Sequence, residues 1–246
     1  SLGPVGRYLS DCRPPELGVR SLARRQTDSR PTRSRHMSLT PTLVEAHDDD
    51  ALPLAKTETA TFGLGCFWGP DAWFGAQDGV VRTRVGYAGG TMPDPTYHAL
   101  GDHTEVVQVD YDPDRLSYKD LLAWVFDRHD PHTQTATTQY QNVVLAASEA
   151  QHDALVTYLE SAGFAPHTVE TRLERLPEFC PAEDYHQKYT LRGTATLFEP
   201  LKTAGYDDVA VRESPAAAAL NGVAAGHDLA PDHPLRVALD RAPGEA

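Results

Sequence analysis

Short β-rich runs punctuate the chain at 59–65, 79–87, 105–111, 140–147 and 167–174, each of strand length and bounded by turn formers. Helical patterns lie between them. Pro70 and Asp71, just after the first run, suit a first helical turn. Ser117 followed by Asp120 reads as a capping box, and Tyr118, Leu121, Leu122 and Val125 then share one face. Ser148 with Gln151 repeats the signal, with Leu155, Val156 and Leu159 as a stripe and Gly163 as a stop. The order is strand, helix, strand, strand, helix, strand, then a further helix and strand. It predicts an α+β fold with a ferredoxin-like split βαβ sandwich core, additional helices and long loops. Residues 88–104, rich in Gly, Pro, Asp and Thr, form the long connection between the middle strands, and such loops commonly carry function.

The first strand ends in Gly65-Cys66-Phe67-Trp68-Gly69, where the helix opens. Free cysteine is ordinarily core filler. At this corner, however, the thiol sits beside unpaired helix N–H groups and the positive end of a helix dipole, which favour thiolate. Phe67 and Trp68 next to it supply an apolar wall suited to a small sulfur-containing ligand.

Charge separates the front of the chain from its body. Residues 1–36 carry a net +5, which leaves −18 for the remaining 210 residues of a chain whose total is −13. The expected division is a disordered leader, 1–50, Arg-rich then acidic, whose first 36 residues are read as non-native coding sequence; a catalytic domain, 51–205; and an Ala/Pro/Gly-rich tail, 206–246, partly disordered. The alanine run in that tail is equally readable as a helix packed on the domain. An acidic body with only Lys56, Lys119, Lys188 and Lys202 repels nucleic acid and anionic membranes, so neither is expected as a partner. No run approaches the roughly 18 apolar residues of a membrane span. Cys12, Cys66 and Cys180 form neither a disulfide framework nor a CxxC pair, which points to a reducing, cytoplasmic home, and no metal site is expected.

Further motifs stand in a fixed order: Val85-Gly86-Tyr87-Ala88-Gly89-Gly90, Asp94-Pro95-Thr96-Tyr97, His103-Thr104-Glu105-Val106-Val107, Tyr111-Asp112-Pro113, His129-Asp130-Pro131, and Pro181 through Glu183-Asp184-Tyr185-His186-Gln187-Lys188-Tyr189. With the cysteine pentapeptide, they resemble the A-type peptide methionine sulfoxide reductases over residues 59–189. The resemblance implies reduction of the S epimer of methionine sulfoxide, free or in proteins, through a sulfenic acid on Cys66. It also implies regeneration by thioredoxin or a small-molecule thiol, with no cofactor. Glu105, opening an apolar strand, is the expected proton donor, since desolvation raises a carboxyl pKa. Tyr97 and Tyr140 are expected to donate to the sulfoxide oxygen. Phe67 and Trp68 would accept the methyl group, and Glu183, Asp184 and His186 would support the pocket. A monomer is expected.

The chain departs from the family in two places. The Gly-Asp portion that relatives carry between His-Asp-Pro and the second catalytic tyrosine is missing from residues 132–139, which takes away an ordering aspartate. Cys180 stands where relatives carry an aromatic residue; it is either a resolving thiol for Cys66 or a small buried filler. Two other classes remain open on the residues alone: another cysteine chemistry with His186 as base, and a redox-sensing or methionine-sulfoxide-binding module that has lost turnover.

Overall fold

Thr40 caps a first helix, α1 (Pro41–Asp50), by accepting the Leu43 N–H, and its chain leads into the strand that carries the site, β1 (Glu58–Leu64), in a computed structural model that describes residues 39–240. Then follow α2 (Trp68–Gly75), β2 (Val80–Ala88), β3 (Thr104–Tyr111), α3 (Tyr118–Asp127), β4 (Asn142–Ala146), α4 (Glu149–Ala162), β5 (Arg172–Arg175) and β6 (Phe179–Pro181). The strands form one mixed sheet in the order β5-β4-β1-β3-β2-β6, antiparallel throughout except for the β4–β5 pair. The fold is α+β.

Alternation decides the layers. Ala60 and Phe62 of β1, Val107 and Val109 of β3 and Val144 of β4 pack with Phe74 of α2, Leu121, Leu122 and Val125 of α3, and Leu155 and Leu159 of α4. The opposite face gathers Ala88, Val106, Val143 and Leu145 under Leu176 and Phe179. Ser117 and Asp120 form the reciprocal capping box, and Gly163 ends α4 in the left-handed region at φ 79°. No helix among the described residues is long and apolar enough to cross a membrane.

Three expectations need correction. The strand predicted at 140–147 begins only at Asn142, because Thr138–Tyr140 is a 3₁₀ turn. The strand predicted at 167–174 shrinks to β5, because the amide and hydroxyl of Thr168 both bond to the Ala165 carbonyl and close a turn ahead of it. The three-residue edge strand β6 was not foreseen; its Pro181 fits an edge, where no ladder donor is required.

The ends differ from the expected leader and tail as well. Residues 41–50 are helical and Val44 is fully buried, so the acidic end of the supposed leader belongs to the domain. The Arg-rich stretch 1–36, Cys12 and residues 241–246 lie outside the described residues. After Gly193 come α6 (Ala195–Thr203), α7 (Asp208–Glu213), α8 (Pro215–Ala224) and α9 (Pro234–Asp240), preceded by the single turn α5 (Tyr189–Arg192). The alanine run is the contact face of α8. A Cβ on Gly75 would stand 2.2 Å from the Ala218 carbonyl oxygen, so α2 and α8 touch backbone to backbone and only small residues fit.

That contact is locked by buried polar groups. The Asp71 carboxylate of α2 accepts from Thr83 Oγ1 (2.5 Å), Lys188 Nζ (3.0 Å) and Asn221 Nδ2 of α8 (3.0 Å). Asp71 and Lys188 are both fully buried. Removing one partner strands the other's charge, so Lys188→Met is expected to lower unfolding free energy by about 3–5 kcal/mol. Urea denaturation measures this, and a loss below about 1 kcal/mol would mean the pair contributes nothing.

Candidate active site

Gly65, at φ 75°, lets the chain leave β1 and turn at once into α2. Cys66 sits half-buried on that turn, and buried Phe67 takes the helix N-cap position without a side-chain cap. Its amide is one of the helix N–H groups that lack an intrahelical acceptor. It donates instead to Glu105 Oε2 at 3.0 Å, which fixes the carboxyl beside the residue that follows the thiol.

Glu105 is only 1% exposed. Its Oε1 accepts a second hydrogen bond from Gln139 Nε2 at 2.7 Å. Burial pushes its carboxyl up to about 7, against the opposing pull of the Gln139 and Phe67 hydrogen bonds, which favour the ionised form. A carboxyl group tuned there holds a proton near neutrality and can release it.

Aromatic rings enclose the space next to this pair. Phe67 stands 6.0 Å from Tyr87 and 5.2 Å from His186, centroid to centroid. Trp68 stacks on Tyr189 at 3.7 Å and 4°. Tyr97 and Tyr185 flank the His186 ring at 4.8 and 4.1 Å. The Trp68 indole N–H donates to His186 Nδ1 at 3.2 Å, so in the neutral ring the proton resides on Nε2. Burial lowers the His186 pKa and keeps the ring neutral, although Glu183 works the other way. Its Nε2 lies 4.0 Å from Glu183 Oε2, and no group among the described residues hydrogen-bonds it.

Glu183 joins the loop to the sheet. Its Oε1 accepts the Tyr97 amide at 2.9 Å and its Oε2 accepts the Tyr87 hydroxyl at 2.8 Å. Burial opposes its ionisation, but these bonds prevail and hold it below the usual carboxylate range. Burial first, and then the hydrogen bond to Glu183, raise the Tyr87 pKa, so Tyr87 remains a neutral donor. Gln187, fully buried, clamps the following turn through Val85 N–H at 3.1 Å, Val85 O at 2.8 Å and Ala182 O at 3.0 Å.

Cys66, Phe67, Trp68, Glu105, Tyr97, Glu183 and His186 therefore lie together around one turn. Tyr140 is half-buried in the 3₁₀ turn beside Gln139. Asp184 is not part of the wall: its side chain is exposed, and its backbone carbonyl accepts the Gln187 N–H. Cys180 lies on β6 directly opposite Tyr87, which in turn lies opposite Glu105. Two strand spacings of ~4.8 Å thus separate Cys180 from Glu105, with the Tyr87 ring between them. Burial, Glu178 and Asp94 raise the Cys180 pKa, which disfavours attack by its thiolate.

Tyr87, Gln139, Gln187 and Tyr189 were missed. Tyr87, Gln187 and Tyr189 lie inside motifs and Gln139 in the segment before Tyr140, but only the folded chain reveals which side chains meet. Gln139 supplies the side-chain hydrogen bond on Glu105. Its removal is expected to raise the Glu105 pKa further, so Gln139→Ala should move the falling limb of kcat/KM to higher pH. A pH–rate profile tests this; a lower rate with an unmoved limb would make the residue merely structural.

A thiol on a strand-to-helix turn, a proton-holding acid bonded to the next amide and an aromatic wall make a site equipped for nucleophilic thiol chemistry with an acid at hand. A family model described as peptide methionine sulfoxide reductase matches residues 58–210, and the chain belongs to that family. The peptide methionine sulfoxide reductase of Drosophila melanogaster is 42% identical over 171 residues, 68% of either chain. MsrA of Methanococcoides burtonii is 38% identical over 144 residues, 54% of this chain and 94% of that one. Among solved structures, Mxr1 from Saccharomyces cerevisiae in reduced form is 28% identical, with a TM-score of 0.49 over 62% of this chain and 90% of that one.

Proposed function

We propose that this protein reduces the S epimer of methionine sulfoxide, free or in polypeptides, to methionine, with Cys66 as nucleophile and Glu105 as acid. The observation that carries this reading is the 3.0 Å hydrogen bond from the Phe67 amide to Glu105 Oε2, which sets a carboxyl of pKa about 7 on the same turn as the thiol. The Cys66 thiolate attacks the sulfoxide sulfur as Glu105 protonates the oxygen. The substrate S–O bond breaks and that hydroxyl ends on Cys66, so methionine sulfur gains two electrons and the cysteine, now a sulfenic acid, loses two. Phe67 and Trp68 receive the methyl group. The Tyr97 and Tyr140 hydroxyls stabilise the oxygen as negative charge develops on it. Glu183 and His186 keep Tyr87, Tyr97 and Trp68 in place.

A first external thiol then condenses with the sulfenic acid, releasing water and leaving a mixed disulfide. A second thiol reduces that disulfide and restores Cys66. Thioredoxin or a small-molecule thiol fits this role, in a reducing compartment such as the cytoplasm, with the protein acting as a monomer and without a cofactor. The raised Cys180 pKa favours direct attack by the reductant over a Cys66–Cys180 disulfide. The order β4-β1-β3-β2, antiparallel throughout, supports reading the core as a ferredoxin-like split βαβ unit.

The reading is tested with the two enantiomers of methyl p-tolyl sulfoxide and dithiothreitol. Consumption of one enantiomer with the other left intact is the expected result; consumption of both or neither would refute it.

A further inference from the structure

A cavity opens beside the aromatic wall, between the loop after β2 and the chain entering β6. It has a volume of about 340 Å³ and is lined by Met92, Pro93, Asp94, His103, Glu178 and Cys180, among others. Its chemistry is that of an acceptor. Asp94 and Glu178 form no ion pair with any described residue, and no lysine or arginine lines the space. Both carboxylates act on one point, since each adds to burial in raising the pKa of the Cys180 thiol.

His103 supplies an independent indication. The residue is 4% exposed, and its Nε2 lies 2.8 Å from the Met92 carbonyl oxygen. A carbonyl only accepts, so Nε2 carries the proton and the neutral ring presents a lone pair at Nδ1. That Nδ1 is buried and unpartnered. An unmade hydrogen bond at a buried acceptor is a standing cost that a ligand donor relieves. Two carboxylates and an imidazole lone pair call for a ligand that is cationic and rich in N–H groups. The apolar flanks of Met92, Pro93 and Pro177 suit the methylene stem of such a side chain.

A bound metal ion fits less well. Among the described residues, the one group of three or more such donors within 4.8 Å of each other is Glu149, His152 and Asp153, elsewhere on α4.

The cavity adjoins the reaction site through three chain connections. His103 is two residues before Glu105, Asp94 is three before Tyr97, and Cys180 pairs with Tyr87. A polypeptide with its oxidised methionine against Phe67 and Trp68 advances ~3.3 Å per extended residue, so side chains two or three positions away reach the cavity. We propose that this cavity is a specificity subsite for an arginine or lysine side chain flanking the methionine sulfoxide of a polypeptide substrate. The proposal rests on the reading of Cys66 as a sulfoxide-reducing nucleophile.

The test uses the full chain and two peptides that carry an S-methionine sulfoxide and differ only in Arg or Glu two residues away. At low salt the Arg peptide is expected to have a kcat/KM about tenfold higher, two solvent-screened charge contacts contributing a few-fold each. The double variant Asp94→Asn/Glu178→Gln should abolish that ratio and leave turnover of methyl p-tolyl sulfoxide at the wild-type rate, which also shows that it folds. Equal rates for the two peptides in the wild-type protein, or a preference that survives in the double variant, would overturn the subsite. Failure of the wild-type protein to consume the small sulfoxide is a different result, and it would remove the underlying activity as well.

Discussion

Cys66→Ser is expected to abolish turnover of the S-sulfoxide, with methionine formation falling by at least about 10³-fold, because a serine hydroxyl is a far weaker nucleophile at neutral pH and cannot be oxidised to a sulfenic acid. Stability should hardly change. Residue 66 is half-buried on a turn whose conformation is set by Gly65, and oxygen for sulfur alters little packing there. Chromatographic assay of methionine, with a thermal melt of the same sample, separates loss of chemistry from loss of fold. A variant retaining a tenth of the wild-type rate would exclude Cys66 as nucleophile. Cys180→Ser should behave oppositely and keep its single turnover, since methionine and the Cys66 sulfenic acid form before any second thiol acts.

Glu105→Gln is expected to lower kcat/KM by about 10²–10⁴-fold, the usual worth of a positioned general acid. In the wild-type protein the acid works while protonated, so kcat/KM should fall as pH rises through about 7, and this limb should vanish in the variant. Stability should move the other way. Between the ordinary carboxyl value of 4.5 and about 7 the folded state holds a proton that the unfolded chain has released, so rising pH destabilises the fold across that window. Glutamine removes this penalty. Its carbonyl still accepts from Phe67 N–H, and the Gln139 amide can rotate to present oxygen to the new NH₂ group. Melting temperatures at pH 8 should therefore be higher for the variant than for the wild type, and the gap should close near pH 4. A variant less stable at pH 8 would contradict a Glu105 carboxyl whose pKa burial has raised.

The core was legible because its signals are local. Ser117 and Asp120, Ser148 and Gly163, and the alternation of β1 and β3 are all satisfied within a few residues. The thiol turn was legible for the same reason, as Gly65, Cys66 and Phe67 are consecutive. Groups that meet across the sheet were not. Gln139 reaches Glu105 and Tyr87 reaches Glu183 over separations of 34 and 96 residues. The alanine run of α8 was ambiguous for a related reason: alanine packs in such a run only where a partner backbone comes close, and that partner, Gly75, stands far away in sequence. Asp184 was drawn toward the site by motif position alone, and the turn after β6 leaves its side chain exposed.

The central claim is that the sulfur of Cys66 receives the sulfoxide oxygen. One equivalent of S-methionine sulfoxide, given to fully reduced protein without any reductant, followed by dimedone trapping and mass spectrometry of the peptide containing residue 66, measures it directly. The account predicts one methionine formed per protein and a dimedone adduct on Cys66. Methionine formed with Cys66 unmodified, or an adduct on Cys180 in its place, would contradict it.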